Sequence, residues 1–259
     1  MKYFVVADVH SYFNELNQAL DKAGFDINNP EHIFVSLGDL LDRGAFPLKC
    51  LKFVNSLPEE RKILIRGNHE RLLDACLKRK VFTEYDVSNG TAQTICDLGN
   101  YDGFKHGIEY ACEKLDNDSE LNKYRNSLRD YYETDKYVFV HGWIPCGYKA
   151  DAKDNYKTMV YTFDDNWRNG NWEKAAWING MDAWSHGIKI EGKTIFAGHW
   201  HTSWGHAYLH NFGVEWGNPY SMSLANRVAH FEPFEDDGIV AMDACTAYSH
   251  KVNCKVVEE

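Results

Sequence analysis

Eight side chains able to coordinate a cation stand at the ends of short apolar runs. They are Asp8 and His10, Asp39, Asn68 and His69, His141, and His199 and His201. Carboxylate, amide and imidazole donors without thiolates suit manganese, iron, zinc or magnesium, all of which accept oxygen and nitrogen ligands. One ion takes about three or four protein ligands. Eight candidates are therefore most economically divided between two ions that share a carboxylate. Two cations roughly 3.5–4 Å apart can hold a hydroxide between them and polarise a phosphoryl oxygen.

An alternation of strands and helices must position these groups. "YFVVAD" (3–8) is short, apolar and β-branched, as a buried strand is. "SYFNELNQALDKAG" follows as a helix with Phe13, Leu16, Leu20 and Ala23 on one face, Ser11 as the expected N-cap and Gly24 as the stop. "HIFVSL" (32–37) and "KILIRG" (62–67) read as two further strands, each leading to a helix, over 46–57 and 70–80. This order predicts a parallel α/β sheet, whose ligands gather at the carboxyl ends of the strands. Asp42 could alternatively cap the second helix, since aspartate is favoured there. Glu70 opens the third helix and supports it through the dipole or from behind the ligands.

Residues 84–135 are polar and charged and read as a helical insertion over the sheet edge, its charge run a solvated face. "YVFV" (137–140) and "TIFA" (194–197) are the next strands, ending in His141 and in "GHWH". The tail segments "RVAHF", "GIVAMD" and "KVNCKVV" alternate, which predicts antiparallel strands closing a second sheet. A single domain over 1–259 is the simplest organisation.

The chain has 259 residues, 44% of them hydrophobic, enough for a sizeable core, and a formal net charge of −10. That charge argues against a general attraction to duplex nucleic acid or anionic membrane. Seven cysteines are scattered without a C-x-x-C, a pattern of reducing compartments that predicts a cytoplasmic protein. The N-terminal apolar stretch is too short for a signal peptide, and no run approaches the length of a membrane span. Nothing in the sequence indicates an oligomeric state.

Five segments in order, "DVH" (8–10), "GDLLDRG" (38–44), "RGNHE" (66–70), "VHG" (140–142) and "GHWH" (198–201), resemble the signatures of calcineurin-like metallophosphoesterases. The GD-x-x-DRG and GNHE forms resemble the phosphoprotein phosphatase branch, which includes bacterial and phage serine/threonine phosphatases and diadenosine tetraphosphatases. "SNGTAQT" (88–94) and "YYETDKYVFVHG" (131–142) are also similar to the bacterial subgroup. The resemblance implies a mixed α/β fold, a four-layer α/β/β/α sandwich of two mixed sheets with the metal site at the strands' carboxyl ends. It implies that Asp8, His10, Asp39 and His201 hold one ion, that Asn68, His141 and His199 hold the other, and that Asp39 bridges. The two ions would be manganese first, with iron, zinc, nickel or magnesium as alternatives. His69 would be the general acid, steered by Asp42, and Arg43 and Arg66 would bind the phosphoryl oxygens of a phosphorylated protein or nucleotide. A bridging hydroxide would attack phosphorus in line.

Three features depart from that pattern or lie outside it. The branch commonly carries a further phosphate-binding arginine in a W-x-R stretch, where this chain has Asn179 and Gly180 in "AAWINGMDAW". Asp243, in "AMDACT", stands where the branch has an aspartate before a glycine-rich turn, and a turn or supporting role is expected of it. All eight tryptophans fall between Trp143 and Trp216. Most are expected to build core, with Trp200 the one expected nearest to substrate.

Overall fold

The computed structural model describes residues 1–100, 107–150, 159–218 and 228–259. Its chain begins β1 (Lys2–Val6), α1 (Phe13–Ala23), β2 (His32–Ser36), α2 (Pro47–Ser56), β3 (Lys62–Ile65) and α3 (Asn68–Arg79). β1, β2 and β3 are parallel, as the alternation predicts. Both faces of β1 are covered. Phe4 and Val6 pack toward the helices, while Tyr3, Val5 and Ala7 face a second sheet. This is why the run is apolar without alternation.

Gly24 ends α1 in the left-handed conformation, φ 81°, as expected of a glycine stop. Ser11 is not the N-cap; Tyr12 precedes the helix, and no side chain caps it. Ser11 is instead held in the loop, its N–H donating to Leu40 O and its carbonyl accepting from Phe46 N. Asp42 does not cap α2 either, because Phe46 occupies that position.

Four helices follow: α4 (Glu84–Asn89), α5 (Thr91–Gly99), α6 (Ile108–Asp116) and α7 (Ser119–Ser127). Residues 101–106, including His106, lie outside the described residues. The helical insertion is more than a polar cover. Ile95, Ala111, Cys112, Leu115, Leu121 and Tyr124 are buried in the same core as Phe4, Phe34 and Leu64. The expected insertion also ends early, at Ser127. β4 (Leu128–Arg129) then pairs with β3 at the edge of the first sheet, and β5 (Tyr132–Glu133) pairs with the next strand in the second. The chain crosses between sheets within a few residues.

The second half contains β6 (Tyr137–Phe139), a hairpin of β7 (Gly147–Ala150) and β8 (Met159–Thr162), α8 (Trp172–Ala175) and α9 (Gly180–Ser185). Next come β9 (Thr194–Ala197), α10 (Ser203–Tyr208), β10 (Phe234–Asp236), β11 (Ile239–Ala241), α11 (Thr246–Ser249) and β12 (Cys254–Glu258). The sheets have the orders β12-β1-β2-β3-β4 and β10-β11-β9-β6-β5, and both are mixed. The tail departs from the expected antiparallel closure of one sheet. β11 lies parallel to β9, and β12 returns to the first sheet, antiparallel to β1. Of "RVAHF", Arg227 lies outside the described residues and 228–231 form no strand. Short alternating segments report a half-covered strand but not its partner, which is set by long-range packing.

Three apolar layers result. Helices α1–α3 and α5–α7 cover the outer face of the first sheet. Tyr3, Val5, Val35 and Ile65 meet Phe139, Phe196, Val240 and Met242 between the sheets. Trp143, Trp167, Ile178 and Met181 cover the outer face of the second sheet. This is the four-layer α/β/β/α sandwich. It puts the carboxyl ends of β1, β2, β3, β6, β9 and β11 along one edge.

Candidate metal centre

The loops leaving that edge are joined by main-chain hydrogen bonds that continue the parallel pairing. Asp8 N donates to Gly38 O, His10 N to Asp39 O (2.9 Å), Ser11 N to Leu40 O, and Gly44 N to His10 O. The backbone is bent hard to bring side chains inward. Asp8, His10, Asp39, Asp42, Arg43 and His199 all have φ between 49° and 73°. Such left-handed non-glycine residues cost about 1–3 kcal/mol each and cluster where function over-determines them. Gly38, at φ 104°, leaves no room for a side chain. A Cβ there would lie 2.7 Å from His141 Nδ1 and 2.8 Å from Gly67.

Asp39 lies at the centre of the cluster. Its Oδ2 is 3.9 Å from both His10 Nε2 and His69 Nε2, and its Oδ1 is 3.4 Å from His141 Nε2. Donor atoms of His10, Asp39 and His69 lie within 4.8 Å of one another, as do those of Asp39, His141 and His199. The two groups share the Asp39 carboxylate. Asn68 Oδ1 belongs to the second group, 2.7 Å from His141 Nε2 and 2.9 Å from His199 Nδ1.

The imidazoles are oriented as metal ligands are. His10 Nδ1 faces Leu41 O at 3.1 Å, and His141 Nδ1 faces Leu37 O at 2.8 Å. A carbonyl can only accept, so each Nδ1 carries the proton and each Nε2 turns to the cluster. The donors present therefore fit a pair of hard or borderline cations, with oxygen and nitrogen atoms held in place before an ion arrives.

Charge within the site is tightly balanced. Burial alone would raise the Asp39 pKa, but His141 and His69 outweigh it and hold the carboxyl well below the usual range. Burial would likewise lower His141, but Asp39 and Asp8 draw it up to about 10. Burial and His141 push His199 down to about 3, and burial and Arg43 hold His10 well below its usual value. Burial and Asp243 raise Asp8 well above a normal carboxylate. Without cations Asp39 and His141 thus form a buried ion pair.

His69 is held by a buried chain. Its Nδ1 lies 2.8 Å from Asp42 Oδ2, and the same oxygen accepts from Thr91 Oγ1 at 2.6 Å. Its Nε2 accepts from Arg43 Nη2 at 3.1 Å, while Arg43 Nη1 donates to His10 Nε2 at 3.0 Å. Burial opposes a proton on His69, whereas Asp39 and Asp42 favour it and raise the group. In this geometry the donor from Arg43 decides: Nε2 carries no proton while the guanidinium faces it. Gly90 packs against Arg43, where a Cβ would overlap its backbone nitrogen. Gly90 and Thr91, from the "SNGTAQT" stretch, thus press on Arg43 and Asp42.

Other expected residues stand apart from the two triads. Asp8 is buried and accepts from the N–H of His199 at 2.9 Å, and its carboxylate is in neither triad. His201 is also in neither; its Nδ1 lies 2.9 Å from Ser203 Oγ. Arg66 is engaged by Asp74 at 2.7 Å, and Asp74 also accepts from Arg125 Nε. Asn179 serves as the N-cap of α9, accepting from Met181 N and Asp182 N. Arg168 pairs with Glu133 and lies over Trp167, so it does not take the place of the W-x-R arginine. Asp243 forms a turn through Cys245 N and accepts from Thr202 N on its carbonyl, which is the supporting role expected.

A family model for calcineurin-like phosphoesterases matches residues 1–229. The chain belongs to that family. A symmetrical bis(5'-nucleosyl)-tetraphosphatase of Buchnera aphidicola is 39% identical over 70 residues, 27% of this chain and 24% of the relative. Serine/threonine-protein phosphatase 1 of Salmonella typhimurium is 41% identical over 73 residues, 28% of this chain and 32% of the relative. The chain thus spans about a quarter to a third of the length of these curated relatives. A cold-active protein-tyrosine phosphatase of a psychrophilic Shewanella shares the fold, with a TM-score of 0.50 at 15% identity, covering 100% of this chain and 75% of that one. Calcineurin-like phosphoesterases use a two-metal centre, and among the described residues the two triads around Asp39 are groups that could contribute to it.

Two contributors, Tyr124 and Trp177, were missed from sequence, while Glu70, expected to support its helix or the ligands, bonds to the ligand loops. Tyr124 reaches Glu70 from a helix expected to be solvated. Trp177, rather than Trp200, is the exposed tryptophan at the centre, its ring edge-on to His199 at 5.7 Å. Trp200 packs against the second core. Trp177 could have been found from its place in the altered W-x-R stretch; Tyr124 carried no local signal.

Proposed function

We propose that this protein is a two-metal phosphoesterase that hydrolyses phosphomonoesters, with serine or threonine phosphoproteins as the favoured class. The observation that supports the chemistry is the single carboxylate of Asp39 set between two groups of imidazoles. Asp8, His10, Asp39 and His201 would hold one ion, and Asp39, Asn68, His141 and His199 the other, with manganese the first choice. When bound, the ions supply Lewis acidity and lower the pKa of coordinated water, so that hydroxide is available near neutral pH.

The remaining work falls to this chain's side chains. His10 Nε2 cannot serve both Arg43 and a cation, so loading the site frees the guanidinium fork to grip phosphoryl oxygens. With Arg43 turned to the phosphoryl oxygens, His69, held at Nδ1 by Asp42, would be free to carry a proton on Nε2. It then donates that proton to the leaving oxygen. A general acid matters most when the leaving group is a poor one, such as a serine or threonine alkoxide. The buried Thr91–Asp42–His69 chain therefore favours alcohol esters over anhydrides. Arg66 would add a second grip after exchanging Asp74 for phosphate.

A second reading, hydrolysis of dinucleoside polyphosphates, is favoured by one feature. Trp177 is 40% exposed beside His199, and an indole there would give a base a stacking partner. The tetraphosphatase relative is consistent with it. The seven free cysteines support action in a reducing compartment such as the cytoplasm. Among the described residues no helix is long and apolar enough to cross a membrane.

The deciding experiment is a panel assayed with Mn²⁺ at neutral pH: p-nitrophenyl phosphate, bis-p-nitrophenyl phosphate, diadenosine tetraphosphate and a phosphoserine peptide. The peptide should have the highest kcat/KM. A preference for the tetraphosphate would transfer the assignment to the second reading, and no turnover of any of the four would defeat both.

A further inference from the structure

Glu70 is 3% exposed, and its carboxylate is fully occupied by donors from three parts of the chain. Oε2 accepts from Gly67 N at 2.8 Å and Asp39 N at 3.0 Å. Oε1 accepts from Leu40 N at 3.0 Å and from the Tyr124 hydroxyl at 2.8 Å. Two of these donors flank the strained Asp39 backbone, φ 53°. The packing is tight enough that a Cβ on Gly67 would overlap Asp39 Oδ1 and lie 2.8 Å from Glu70 Oε2. The fourth donor comes from α7, 54 residues further along the chain. Tyr124 is itself 2% exposed, so neither oxygen can exchange its partner for bulk water.

We propose that Tyr124 is a positioning residue of the ion site, acting through Glu70 on the main chain of Asp39. The helical insertion would then be part of the metal centre's scaffold, fixing the direction of the shared carboxylate before ions bind. Removing the hydroxyl leaves Oε1 with one donor and lets the carboxylate turn away from Leu40. Asp39 then loses the restraint on the conformation that aims it between the triads. Groups that orient metal ligands typically contribute about 10–100-fold to metal affinity. This inference rests on the two-ion reading of the site.

The test is calorimetric titration of Mn²⁺ into chelator-stripped wild type, Tyr124→Phe, Glu70→Gln and the double variant. The wild type should bind two ions. Tyr124→Phe should keep that stoichiometry, bind about tenfold more weakly, and recover turnover as Mn²⁺ is raised. Glu70→Gln should lose at least as much, and the double variant no more than Glu70→Gln alone, since both act on one path. Wild-type Mn²⁺ affinity in Tyr124→Phe, even with a lowered melting temperature, would reduce Tyr124 to a packing residue and overturn the inference. Glu70→Gln is an independent check if Tyr124→Phe does not fold, because wild-type affinity there removes the path from Tyr124 to Asp39. Failure of the wild type itself to bind ions would overturn the two-ion reading and this inference together.

Discussion

The two sheets contribute to the site in different ways. Loops from the first sheet are clamped. Main-chain bonds join the loop after β1 to the loop after β2, Glu70 ties the latter to Gly67, and Thr91 and Tyr124 press in from the insertion. Loops from the second sheet are joined to one another by main-chain bonds, Gly198 N to His141 O and Thr202 N to Asp243 O, but lie nearer the surface. His141 is anchored on Leu37 O, but His199 is half-buried, and its ring meets the first half through Asn68. The second half also carries Trp177 and Trp200, and residues around them are partly exposed. Under the proposed function the labour is divided: the first half would set proton and phosphoryl geometry, and the second would complete the ion site and meet the rest of the substrate. Preorganised polar groups are effective because they need no rearrangement during reaction.

That division can be broken at several points. Asp39→Asn, or a chelator added to the wild type, should reduce kcat/KM by about a thousandfold or more, because the shared carboxylate serves both ions. Turnover that survives either treatment would remove the ion site from the chemistry. His69→Asn should lower kcat on a phosphoserine peptide by about 10²–10⁴-fold but spare p-nitrophenyl phosphate, whose leaving group needs little help. Equal losses on both substrates would mean that His69 binds rather than donates. Thr91→Val removes a hydrogen bond to the charged Asp42, worth about 1.5–3 kcal/mol, and should appear in kcat with KM unchanged. A pure KM effect would contradict its place in the clamped half.

Trp177→Ala probes the other half. It should raise KM for diadenosine tetraphosphate by roughly tenfold, the contribution of one stacked base, and leave p-nitrophenyl phosphate alone. A kcat loss on the small substrate would show that the second half also shapes the chemistry. The smallest effect concerns stability without ions. His141 is drawn up to about 10 in the folded chain from an unperturbed 6.5. A raised basic group stabilises the fold fully below its unfolded pKa and loses that contribution as pH rises to the folded value. The chelator-stripped protein should therefore lose denaturant resistance between pH 6.5 and 10. His141→Gln should flatten that slope; an unchanged slope would show that the Asp39–His141 pair does not carry it.

Much of the site was legible because strand ends are local features. "YFVV", "HIFVS", "KILI" and "TIFA" mark themselves by composition, and the donors follow within four residues. The strand "GIVA" was equally visible, but its parallel pairing with β9 was not, because alternation says which face is covered and nothing about the neighbour. Ser11 and Asp42 looked like helix caps for the same reason. Their local preference was overridden by contacts with residues 27 to 49 positions away.

The amino-acid order by itself determined which donors exist, that they sit at the ends of strands, and that thiolates are absent from the set. Tertiary structure alone decided the rest. It set Asp39 between two triads and brought Tyr124 onto Glu70. Backbone preference acts over a few residues, whereas these pairings require two sheets and a helical layer to stack first. Only then do side chains more than fifty positions apart come within hydrogen-bonding distance.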